Sequence, residues 1–211
     1  MFAPDGTLFI GATLGVLGAI FGSGVTALAW RLPRHESWVQ GRSRCPSCGH
    51  VLGPLDLVPV LSWMLARGRC RYCRAGVSAR YPLIELACAA WAVLAWVHLG
   101  LVAELAPVLL WGWLLVALTV IDLDFKLLPD ALTLPGTLLA VTAALLGPVG
   151  AFLAITLAAL VGALAGGVLV LRGRGGMQSE LPFGTCLAPA AMAVFLWGDR
   201  VVEAYFALAR G

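Results

Sequence analysis

Four cysteines stand as two pairs, Cys45-Pro46-Ser47-Cys48 and Cys70-Arg71-Tyr72-Cys73, with 21 residues between the pairs. Each CxxC turns tightly enough to put two thiolates on one side of a metal, and two such knuckles complete a tetrahedral shell with no open position. This is the spacing of a structural zinc site. A disulfide or a redox dithiol would use the same residues, but a reducing compartment disfavours stable disulfides, and redox chemistry needs only one pair. Zinc is therefore expected on Cys45, Cys48, Cys70 and Cys73, where it would supply the folding energy that a small, weakly apolar segment lacks. Cys88 and Cys186 lie in apolar runs and are expected as small filler.

The second group that could do chemistry is acidic. Asp122, Asp124 and Asp130 crowd the stretch Ile121-Asp122-Leu123-Asp124-Phe125-Lys126-Leu127-Leu128-Pro129-Asp130, directly after 17 uncharged residues. An ionisable side chain at the edge of such a run is costly unless it faces a protein interior or a wet cavity, which makes Asp122 a catalytic candidate. The plainer alternative is a polar turn between two spans, with Lys126 one helical turn away as an ion-pair partner. Glu85 and Glu104 also sit at the edges of apolar runs.

The elements that must hold these residues are set by composition. The chain has 211 residues, of which 61% are hydrophobic and 12% charged, and its mean hydropathy is +0.94. Soluble globular, fibrous, disordered and secreted disulfide-rich classes are excluded. Uncharged runs cover Gly6–Trp30, Leu86–Ala103, Leu105–Ile121, Ala131–Leu171 and Leu181–Gly198. A span needs about 20 apolar residues, so the long fourth run divides in two at Gly147-Pro148-Val149-Gly150. The expected fold is an all-α polytopic integral membrane protein of about six transmembrane helices with a small zinc-binding cytoplasmic loop domain. Its parts are a first helix at 1–30, the loop at 31–82 and a transmembrane domain at 83–211.

Nine of the fourteen Lys and Arg residues fall within Arg31–Pro82, which predicts a cytoplasmic loop. Alternation then places both termini outside and the Asp122–Asp130 and Arg172–Glu180 segments inside. Met1–Phe9 lacks a basic start and carries Asp5, so the first span is expected to stay rather than to be removed as a signal peptide. The net charge of +3 reflects this one loop and points to topology and anionic headgroups, with no nucleic-acid partner.

The order of short motifs resembles the bacterial prepilin peptidases, the type IV prepilin leader peptidase/N-methyltransferases. The resemblance runs through Gly22-Ser23 and Arg31-Leu32-Pro33, through Arg44 to His50, and through Pro59-Val60-Leu61-Ser62-Trp63. It continues in Arg67-Gly68-Arg69-Cys70, Arg80-Tyr81-Pro82-Leu83-Ile84-Glu85, the Asp122–Asp130 segment, Leu181-Pro182-Phe183-Gly184 and Leu196-Trp197-Gly198-Asp199. It implies a membrane aspartic endopeptidase of the bacterial inner membrane. Such an enzyme removes the basic leader of pilins and pseudopilins at the cytoplasmic face and methylates the new N-terminus with S-adenosylmethionine. Two carboxylates must share this work, one as base on a water and one as acid on the carbonyl oxygen.

The chain departs from the family pattern in two places. The second catalytic aspartate of the family lies in a Gly-x-Gly-Asp motif, and this sequence contains none. After Leu171 it reads Arg172-Gly173-Arg174-Gly175-Gly176-Met177-Gln178-Ser179-Glu180 and enters its closing span, as though an even number of spans were missing. Asp122 is the expected first catalytic acid. Glu180 is the first choice for its partner and Asp130 the second, with Asp124 and Glu85 also at suitable boundaries. The other departure is Thr26, which stands where relatives usually carry an asparagine. The alternative function is a catalytically silent relative that binds pilin-like helices or a full-length peptidase. A membrane thiol or metal-handling protein is the third class.

Overall fold

In a computed structural model of the chain, the described residues are 4–37, 41–125 and 183–210, with 154, 156, 157, 160 and 161 between them. They include five α-helices with described bounds: α1 (Pro4–Arg31), α2 (Leu61–Leu65), α3 (Arg80–Leu99), α4 (Leu105–Phe125) and α5 (Phe183–Arg210), with 3-10 turns at Leu32–Arg34 and Pro54–Asp56. Among the described residues there is no β-strand, only the isolated bridges Arg44 to Val51 and Arg69 to Gly76. The chain divides into two compact units, Met1–Ala117 and Leu118–Gly211.

Three helices among the described residues are long and apolar enough to cross a membrane: Gly6–Arg34, Arg80–Leu99 and Leu105–Phe125. The fourth expected span and the Gly147–Gly150 turn lie outside the described residues, and of the fifth only 154, 156, 157, 160 and 161 are described, all of them helical. The closing run is continued by α5 through Asp199, Arg200 and Glu203. Helices in fact outrun their uncharged cores at several ends. One starts at Arg80, ahead of Glu85, and another ends at Phe125, beyond Asp122. A charged side chain at the membrane edge can reach water while the backbone remains helical.

The first unit is held by close backbone approach and by tryptophan. A Cβ placed on Gly18 would lie 2.6 Å from the Cys88 carbonyl oxygen, and one on Gly22 would lie 2.7 Å from the Glu85 Cα. Lipid offers no hydrophobic drive for helix association, so glycine at these positions lets α1 and α3 gain dispersion contacts that any side chain would forbid. Against α4, the Trp113 Nε1–H donates to the Cys88 carbonyl at 3.2 Å and the Trp91 Nε1–H to the Val108 carbonyl at 3.2 Å. Phe21 of α1 stacks on Trp113 with centroids 4.2 Å apart. Cys88 is wholly buried, as expected for filler, and its carbonyl also anchors a tryptophan.

In the second unit, Ile121 and Asp122 at the end of α4 are buried, while Leu123 is exposed. Ala188, Ala190 and Ala191 form the buried part of α5 around Pro189.

Candidate functional site

The two knuckles are near copies of each other. In the first, the Cys45 N–H donates to the His50 carbonyl at 2.9 Å and the Gly49 N–H returns to the Cys45 carbonyl at 2.9 Å. In the second, the Cys70 N–H donates to the Ala75 carbonyl at 2.8 Å and the Arg74 N–H to the Cys70 carbonyl at 3.0 Å. Both turns need a left-handed residue, Gly49 at φ 71° and Arg74 at φ 62°.

This geometry brings the ligand atoms of Cys45, Cys48, Cys70 and Cys73 within 4.8 Å of one another. The Cys45 and Cys73 sulfurs are 3.8 Å apart. Zn–S bonds of about 2.3 Å in a tetrahedron require sulfurs about 3.8 Å apart, so the donor set fits the metal. Backbone N–H groups of Cys48 and Ser47 lower the Cys45 thiol to about 6. The Ala75 N–H acts the same way on Cys73, but burial and the adjoining thiols outweigh it and push that group up to about 11. Four sulfurs this close cannot all be thiolates without a cation among them.

A polar clasp joins the knuckles. Asp56 accepts the Gly53 N–H at 3.0 Å and the Tyr72 hydroxyl at 3.0 Å, and Arg71 lies 3.5 Å from its other oxygen. These partners, the Gly53 amide foremost, hold its carboxyl below the usual carboxylate range. His50 of the first knuckle stacks on Tyr72 of the second, with centroids 3.5 Å apart. The Trp63 Nε1–H donates to the Val77 carbonyl at 3.0 Å, and its ring lies so near Gly68 that a Cβ there would meet it at 2.9 Å. Sequence reasoning missed Asp56, although the signal was present: it is the single acid between the two knuckles.

Glu85, weighed above as a boundary acid, instead ties the loop to the helices. It is 9% exposed, accepts the Val60 N–H at 2.7 Å and is hydrogen-bonded to the Ser23 side chain. Beside it lies a cavity of about 640 Å³ whose lining includes Ser23, Trp30, Arg42, Asp56, Tyr81 and Glu85. The Thr26 hydroxyl is engaged by the Gly22 carbonyl of its own helix at 3.0 Å.

Asp122 is 4% exposed, one turn from the end of α4, whereas Leu123 and Asp124 beside it are exposed. Asp130, Glu180 and Lys126 lie outside the described residues. The structure therefore brings together the four cysteines and does not describe a carboxylate pair.

Apolar helices flanking a four-thiol loop define a membrane protein with a loop that could hold a metal ion between its first two spans. The bacterial peptidase A24 N-terminal domain model matches residues 16–99, which contain the end of α1, the loop and α3. The prepilin leader peptidase/N-methyltransferase of Aeromonas hydrophila is 37% identical over 215 residues, covering 78% of this chain and 74% of that protein. The protein of the same name from Stutzerimonas stutzeri is 31% identical over 220 residues, covering 80% and 76%. That of Bacillus subtilis is 29% identical over 242 residues, covering 93% and 98%. This last alignment is longer than the whole chain, so that relative carries residues which this chain lacks. No solved structure matches. The chain belongs to the prepilin leader peptidase/N-methyltransferase family, and its apolar helices make it a multi-pass protein of the bacterial inner membrane.

Proposed function

We propose that the protein is a membrane aspartic endopeptidase that cleaves the basic leader of type IV prepilins or pseudopilins at the cytoplasmic face. The observation that carries this reading is the buried Asp122 carboxyl at the end of an apolar helix, in a chain that spans three quarters of its peptidase relatives. A carboxylate shielded from bulk water, at the level where a pilin helix meets its leader, is suited to take a proton from a water attacking the scissile carbonyl. The second carboxylate, which protonates the carbonyl oxygen, is Glu180, with Asp130 as the next choice. The proposed division of labour follows the expected segments: 1–30 and 83–211 hold the substrate helix, while 31–82 receives the leader and the new N-terminus.

Zinc on Cys45, Cys48, Cys70 and Cys73 is structural in this reading, since four protein ligands leave it no place for a reactant. N-methylation of the new N-terminus completes the activity, with S-adenosylmethionine as donor. The cavity beside Glu85 and Trp30 is large enough for such a molecule.

The test is prepilin cleavage by the purified protein in detergent, comparing the wild type with Asp122→Asn, Glu180→Gln and Asp130→Asn. Loss of either member of the dyad should remove nearly all turnover, because its two acids act as one unit. Activity retained in Asp122→Asn would overturn the aspartic mechanism. The absent Gly-x-Gly-Asp favours a second reading, a silent relative that binds pilin helices or a full-length peptidase. It would be established by pilin binding without cleavage in the wild type. Reporter fusions at His50 and Lys126 should read as cytoplasmic, and those at Gly150 and Gly211 as exterior.

A further inference from the structure

The segment between the knuckles has its anchor inside the helix pair. The Val60 N–H meets Glu85 at 2.7 Å. Glu85 lies five residues into α3, about 7.5 Å beyond Arg80, and its other partner Ser23 lies about 12 Å before the end of α1. The chain around Val60 is thereby drawn down to the level where the spans enter the bilayer. There it exposes apolar side chains: Leu61, Met64 and Leu65 of α2 are 57%, 61% and 77% exposed, and Leu55 and Leu57 before them are exposed as well. Trp63 turns the other way, into the second knuckle.

Immediately after this apolar strip come three arginines around one recess. A cavity of about 330 Å³ is lined by Ala66, Arg67, Arg69 and Arg74. Among the described residues, none of these three guanidinium groups has a carboxylate within 4.0 Å, in contrast to Arg71 with Asp56. Three arginines lining one recess with no acid beside them, next in sequence to exposed leucines, match a molecule with an anionic head and an apolar tail.

We infer that residues 55–65 lie in the adjoining leaflet as an interfacial element, and that Arg67, Arg69 and Arg74 bind the phosphate of an anionic phospholipid whose acyl chains cover Leu61, Met64 and Leu65. The lipid then fixes the second knuckle against the membrane surface, next to the loop's anchor on Glu85.

The test uses the full-length protein in two measurements. Native mass spectrometry from detergent, with added phosphatidylglycerol or phosphatidylcholine, should show a retained phosphatidylglycerol adduct, and millimolar inorganic phosphate should not displace it. An Arg67→Gln, Arg69→Gln, Arg74→Gln variant should bind that lipid on the order of a hundredfold more weakly. In nanodiscs, hydrogen exchange in residues 55–66 should be slower with phosphatidylglycerol than with phosphatidylcholine alone. Metal content equal to that of the wild type shows that the variant's loop is folded. If the variant loses metal, the two-lipid comparison on the wild type decides. Equal retention of both lipids, or displacement by inorganic phosphate, overturns the proposal. So does exchange that is already slow in lipid-free detergent, which would mean that protein covers the strip.

Discussion

The four-cysteine loop and the Asp122 segment are both polar stretches beside apolar helices, and they are built on different plans. The loop finishes its own bonding: four sulfurs face each other, Asp56 collects an amide, a hydroxyl and a guanidinium, and Glu85 takes the Val60 amide. Asp122 is a buried carboxyl one turn from the end of α4, with the exposed Leu123 and Asp124 beside it. Each knuckle is closed by local backbone bonds, and the loop's further partners all come from within the first unit. In the proposed mechanism Asp122 depends on a second carboxylate from elsewhere in the chain, and the Gly-x-Gly-Asp motif of the resembled family is absent from this sequence.

The largest effects should come from separating these plans. Cys45→Ser removes one of four ligands, so metal analysis should find zinc reduced to a small fraction of the wild-type content, with the loop open to protease. Asp122→Asn should leave both measurements unchanged. Metal loss in Asp122→Asn, or full zinc in Cys45→Ser, would break the distinction between a self-contained site and a dependent one.

A smaller effect should follow from prying apart the helices beneath the loop. Gly18→Leu places a branched side chain where even a Cβ would lie 2.6 Å from the Cys88 carbonyl oxygen. The helices must move apart, at a cost of about 3 kcal/mol. Gly24→Leu is the control, since nothing lies within 4 Å of its Cβ position. A thermal midpoint lowered equally in both variants would mean that α1 and α3 are not held by this contact.

Glu85→Ala tests the tether between loop and helices. It strips the Val60 N–H of its acceptor and should weaken the loop's attachment by about 1–3 kcal/mol, read as faster hydrogen exchange at Val60. The zinc content should hold, because the knuckles close without Glu85. Unchanged exchange at Val60 would show that the segment is fixed by something else.

How much of this was legible in the sequence follows from the same contrast. The knuckles could be read because their ligands are three residues apart within each pair, so local chain geometry decides the chemistry. The three described spans could be read because lipid selects for uncharged runs. Their ends could not, since a helix continues through Arg80, Glu85 and Asp122 once side chains reach water or a partner. Nor could the clasp of Asp56 with Tyr72, 16 residues apart, or the 25-residue link from Glu85 to Val60, because these bonds exist only after the loop has folded. The glycines of α1 were visible as letters, but their contact with α3 depends on a face that spacing alone did not select.

The smallest prediction compares the knuckles with each other. Both backbones turn through a left-handed residue, yet one turn uses Gly49 and the other Arg74, at φ 71° and 62°. A side chain in this region costs about 1–2 kcal/mol relative to glycine. Glycine gives back about half of that through the greater freedom of the unfolded chain. Arg74→Gly should therefore stabilise the second knuckle by roughly 0.5 kcal/mol. Gly49→Ala should destabilise the first by about 1 kcal/mol, with no clash involved, because nothing lies within 4 Å of its Cβ position. Both changes can be read as shifts in the chelator concentration that releases half the zinc, measured in detergent free of anionic lipid so that Arg74 has no headgroup to lose. Opposite shifts of this size would show that the two knuckles are one backbone design carrying different strain. A loss of metal retention in Arg74→Gly would instead mean that the arginine side chain supports its knuckle by a contact stronger than the strain it brings.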